Sequence, residues 1–223
     1  MISTNLKKLF TKHVAASFDK QLRLNDLVGN RSWGYDLETG LLTFGDDLAF
    51  KTQILGTESE ISQTWRWGWA NSISQIPKGL LDDVRELHKM GRNQHIPELV
   101  KPDLEISGSL NGHYLSMIAS GVCQAGAYYR CPYEGGALYV MIKESLSDFT
   151  IEEPIDRIAV VFPQVISNLE FDHRDAFNYY LHYYDLNVQL TKNEIIGISK
   201  NGKRIAAEFD SFHRLVNLIT EKG

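Results

Sequence analysis

The residues best suited to chemistry gather around one short run, Gly56 to Asn71, which reads GTESEISQTWRWGWAN. Trp65, Trp67 and Trp69 fall at every second position, the period of a β-strand. All three indoles are therefore expected to leave one side of a strand while Arg66, Gly68 and Ala70 take the other. Two readings follow. In the first, the indoles are core, because large aromatic groups bury most of their area and a nearly bare opposite face lets a second element approach. In the second, one indole such as Trp67 lines a cleft whose polar lip is Arg66, Asn71 and the loop from Glu58 to Glu60. A hydrolase or transferase acting on a small ligand would need Arg66, Tyr129, Arg130 and Glu134 to converge beside that strand. Tyr128 and Arg130 share one strand face and Tyr129 takes the other, so only one of these faces can look into a pocket.

Other chemistry is weaker in the linear sequence. Gly197 to Arg204, GISKNGKR, has the spacing of a phosphate loop but puts Arg204 where a magnesium-binding hydroxyl is needed, and its Asn201-Gly202 belongs to a hairpin turn. The 7 histidines are dispersed without ligand spacing, so no metal site is expected. Asp172-His173-Arg174-Asp175 is the densest ionisable cluster, and a helix N-terminus explains it. Tyr179, Tyr180, Tyr183 and Tyr184 form an aromatic patch in which Tyr180 and Tyr184 face inward and Tyr179 and Tyr183 outward.

The run Gly56-Thr57, Ser59, Thr64-Trp65, Trp67, Trp69-Ala70-Asn71, with Ile76-Pro77 after it and Ala127-Tyr128-Tyr129-Arg130 later, resembles a family of bacterial proteins classed as a domain of unknown function. The resemblance covers about residues 32 to 143. It implies a bacterial, cytoplasmic origin and a shared fold, and it brings no activity and no site residues.

These residues need elements to position them. Leu6, Leu9, Phe10, Val14, Phe18, Leu22 and Leu27 define an amphipathic helix with Ser3 or Thr4 as cap and Gly29 as stop. Lys7, Lys8 and Lys12 would suit a membrane-surface helix, but the opposite face also carries Asp19 and Asp26, which favours packing on the sheet. Strands are expected at 32–36, 41–44, 48–54 and 64–70. Helices follow at 77–90 and 110–124, then a hairpin of 125–131 with 137–143. The acidic stretch 146–154 reads as a linker. Beyond it come helices at 155–169, with Pro163 as a kink or break, and 172–184, then strands at 186–190, 194–200 and 203–209 and a short helix from Asp210.

The fold class expected is α+β: an antiparallel meander sheet packed with helices over 1–145, plus a smaller helix-helix-hairpin unit over 146–223. With 223 residues, 43% of them hydrophobic, the chain can bury a substantial core. A net charge of -5 argues against nucleic acid. No apolar run approaches the roughly 20 residues that span a bilayer, and the N-terminus lacks a signal peptide's apolar core. Cys123 and Cys131 are expected to stay thiols in a reducing cytoplasm. The expectation is a non-catalytic binding or protein-interaction protein, with a protein or small-molecule partner and no cofactor.

Overall fold

The computed structural model describes residues 2–146 and 153–221, so residues 147–152 of the expected linker lie outside the described residues. Helix α1, Thr4–Val28, starts where the Ser3 hydroxyl accepts from the Leu6 amide, and it stops at Gly29, whose φ of 54° suits a residue without Cβ. Its apolar stripe packs on both other helical layers, against α3 (Gly112–Val122) and against α5 (His173–Tyr183).

The sheet of the N-terminal part is antiparallel and seven-stranded: β1 (Trp33–Asp36), β2 (Leu41–Phe44), β3 (Leu48–Ser59), β4 (Thr64–Trp67), β5 (Asp103–Glu105), β6 (Ala127–Tyr133) and β7 (Gly136–Ile142). Strand β3 holds it together. Its first half pairs with β2, and its second half lies between β4 and β7. The register slips between Ile54 and Gly56, a bulge that leaves Ile54 and Leu55 both fully buried and bends the strand. That bend carries β3 to Ser59, past the Ile54 limit that alternation predicts.

The indole ladder needs correcting. Trp65 and Trp67 share a face of β4, are fully buried and meet edge to face at 5.3 Å. Residues Gly68–Ala70 form a 3-10 turn, so Trp69 leaves the strand and stacks on His88 of α2 (Asp82–Asn93) at 4.1 Å. Just past the strand end Gly68 packs closely under Leu81 and Ile54, where a Cβ would stand 3.0 and 3.3 Å from their side chains.

The C-terminal part holds α4 (Pro154–Asn168), α5 and a four-stranded antiparallel sheet of β8 (Asn187–Leu190), β9 (Glu194–Ile198), β10 (Arg204–Phe209) and β11 (Leu215–Glu221). Helix α4 runs unbroken through Pro163, because Ile155, Ile158, Val161, Phe162 and Val165 bury a continuous face whose packing outweighs the roughly 3 kcal/mol cost of an interior proline. The helix expected from Asp210 is instead a turn: the Asp210 carboxylate accepts from the Phe212 and Arg214 amides, and His213 at φ 61° sends the chain back into β11.

Candidate functional site

The register fixes where the sequence-predicted residues go. Arg130 lies opposite Tyr139, Tyr139 opposite Gly56 and Gly56 opposite Trp67, so these residues share one sheet face. Trp67 is fully buried on it and donates from Nε1 to the Glu98 carbonyl at 2.9 Å. Arg130 meets Glu60 at 2.6 Å. Arg66 takes the other face and forks onto Asp103 at 2.7 and 3.1 Å. Tyr129, also on that other side of the sheet, packs on Phe44 and Trp33 with ring centroids 4.9 and 5.8 Å away. Asn71 closes a turn by accepting from the Ile73 and Ser74 amides, and Glu134 is exposed in the β6–β7 turn. The structure therefore does not bring Arg66, Tyr129, Arg130 and Glu134 together.

What it does gather around Arg130 is a polar cluster under the start of α3. The Glu58 carboxylate accepts from the Gly112 amide at 2.7 Å, satisfying a helix N-terminus that Asn111 caps from the other side. His113 Nδ1 lies 3.0 Å from the Tyr128 hydroxyl. Burial pushes the Tyr128 phenol well up and the His113 imidazole down, so the two meet as neutral groups. Burial also raises Tyr139 to about 12. The cluster is tightly packed: a Cβ on Gly112 would stand 2.4 Å from the Tyr139 ring.

Open space lies elsewhere, at the seam between the two parts of the chain. A cavity of about 190 Å³ is lined by Lys20 and Arg23 of α1, Ala125 and Gly126 ahead of β6, Ser145 and Leu146 after β7, and Tyr183 and Tyr184 at the end of α5. Lys20 donates to the Ala125 carbonyl at 2.8 Å and sits 5.6 Å over the Tyr183 ring. Burial lowers its pKa to about 8, with Asp19 opposing the shift. Arg23 donates to the Tyr184 hydroxyl at 2.8 Å.

Behind this wall lies Asp19, a fully buried carboxylate on α1. It accepts from Arg157 Nε at 2.7 Å, from Tyr180 at 2.9 Å and from Tyr184, and Arg23 approaches at 3.4 Å. Three hydrogen bonds and one further ion-pair contact thus converge on a single carboxylate. Sequence reasoning missed Lys20 and Arg23. The available signal was Asp19, Lys20 and Arg23 within one turn, next to an apolar stripe that needs a partner on both sides.

Among the described residues no group of three or more His, Cys, Asp or Glu side chains could hold a metal ion, and no helix is long and apolar enough to cross a membrane. Cys123 and Cys131 are not joined. Asp172 caps α5 at the Asp175 amide and also binds His213, so the 172–175 cluster ties the helix to the turn before β11.

The fold and site define an α+β protein: a bulged antiparallel sheet with helices, joined to a smaller α+β unit. Residues 7–145 match the model of a family of unknown function, DUF6882, and the chain belongs to that family. No curated protein and no solved structure matches it.

Proposed function

We propose that this chain is a non-catalytic binding protein of the bacterial cytoplasm, and that its ligand is a small molecule held in the cavity between α1 and α5. The observation that carries this reading is the cavity itself. Four remote segments converge on it, and it presents an ammonium that makes no ion pair among the described residues. Its phenols support binding over catalysis, because burial raises the pKa of both Tyr183 and Tyr184 and keeps them protonated, and among the described residues no carboxylate or imidazole lines the space. Native mass spectrometry of the chain recovered from its own cytoplasm tests the idea. A stoichiometric small-molecule adduct is expected; recovery of the bare chain, together with no thermal stabilisation by any member of a metabolite library, would overturn it.

A second reading has its own observation. His113, in hydrogen-bond reach of the Tyr128 hydroxyl and with Glu58 and Arg130 nearby, suits a hydrolase or transferase beside the tryptophan strand. His113→Gln leaving the ligand adduct intact while abolishing turnover of that ligand would favour this reading over the first.

A further inference from the structure

Resting on the seam cavity as the binding site, we infer that it selects a small organic monocarboxylate: one negative charge on an apolar body about the size of a single ring.

Charge gives the sign. The protein carries a net charge of -5, yet among the described residues the charged side chains lining this cavity are Lys20 and Arg23, both positive, and none is an acid. Asp19, beside Lys20 on α1, is not among the lining residues and already serves Arg157, Tyr180, Tyr184 and Arg23. Lys20 makes one hydrogen bond, to the Ala125 carbonyl, and an ammonium has three donors. The Tyr183 hydroxyl makes no hydrogen bond among the described residues. A half-buried ammonium without a counter-ion is costly, and an incoming anion relieves that cost where a neutral ligand cannot.

Charge number and shape give the class. Arg23 is partly satisfied by Asp19 and Tyr184, so the site offers about one uncompensated positive charge, which matches a carboxylate and leaves a phosphate dianion half neutralised. Apart from Ser145, the rest of the described lining is largely apolar: Ala125, Gly126, Leu146 and the faces of two tyrosine rings. A volume of about 190 Å³ is room for roughly six waters at ~30 Å³ each, or for one ring-sized body.

Calorimetric titration of the full chain at pH 7 with matched pairs, benzoate against benzamide and butyrate against butyramide, with inorganic phosphate alongside, tests this. A carboxylate is expected to bind at least ten-fold more tightly than its amide and than phosphate, and Lys20→Met is expected to remove most of that preference while the far-ultraviolet dichroism stays unchanged. Equal binding of acid and amide would overturn the carboxylate inference and leave the cavity as a small-molecule site. Tighter binding of phosphate would overturn the monocarboxylate class, and a preference that survives Lys20→Met would move the anion site away from this cavity. No binding by any probe would overturn the inference, while the adduct experiment still decides whether the cavity holds some other molecule.

Discussion

Asp19 of α1 and Arg157 of α4 meet at 2.7 Å although they stand 138 positions apart, and both are buried. This pair, with Tyr180 and Tyr184, joins the segment matched by the family to the C-terminal helices and forms the floor behind the cavity. Removing one partner of a buried pair leaves the other charge uncompensated, which typically costs about 3–5 kcal/mol. Asp19→Asn is expected to lose that much in urea unfolding, whereas disrupting an exposed pair such as Arg31–Asp47 should have far less effect. A loss below about 1 kcal/mol for Asp19→Asn would show that the latch is not structural.

The indoles separate by environment. Trp67 is fully buried and hydrogen-bonded to Glu98, so Trp67→Ala is expected to cost about 3–5 kcal/mol through lost burial and a cavity. Trp69 is only partly buried and holds His88 by stacking, a contact worth about 0.5–1.5 kcal/mol beyond its area. Thermal unfolding of both variants checks the order. If Trp69→Ala proves as damaging as Trp67→Ala, the core assignment of the strand is wrong.

Gly56 is the bare spot under the ladder. It sits opposite Trp67 and diagonal to Trp65, whose indole covers it, and an added Cβ would stand 2.5 Å from both the Arg66 carbonyl oxygen and the Trp65 ring. A backbone oxygen in a paired strand cannot yield, so Gly56→Ala is expected to cost about 1–3 kcal/mol by overpacking. Gly79, with nothing within 4 Å of its Cβ position, is the control, and Gly79→Ala should shift stability by less than about 0.5 kcal/mol. Equal effects at the two glycines would contradict the close approach.

Much of the fold was legible because local chemistry and final structure agree. Ser3 and Gly29 bound α1, Asn201-Gly202 turns β9 into β10 with Gly202 at φ 87°, and Tyr179 and Tyr183 face outward while Tyr180 faces inward. Misreadings and omissions occurred where a distant partner decided the outcome. Asp103–Glu105 becomes a strand only because β4 offers it an edge, Trp69 turns aside because His88 receives it, and Asp19 is buried because α4 and α5 bring Arg157 and two phenols to it. The cavity draws on positions near 20, 125, 145 and 183, and no window of sequence contains their convergence.

His13 supplies a pH dependence with a definite sign. Its ring lies on α1 against Gly121 of α3, so closely that a Cβ there would stand 2.3 Å from it. Burial, aided by Lys12 and Lys20, lowers its pKa from 6.5 to about 4. Between those values the unfolded chain binds a proton that the folded chain refuses, so stability rises with pH across this window and falls on acidification from about 6.5 toward 4. At pH 4.5 the loss from this residue should be on the order of 2 kcal/mol, because each tenfold difference in proton affinity between the folded and unfolded chain is worth about 1.36 kcal/mol. Urea unfolding at pH 7 and pH 4.5 isolates it when the chain is compared with His13→Gln, which cannot titrate. The variant is expected to be less stable at pH 7 through poorer packing but to lose markedly less on acidification. Parallel losses in the two proteins would place the acid sensitivity elsewhere and show that the imidazole accepts its proton in place.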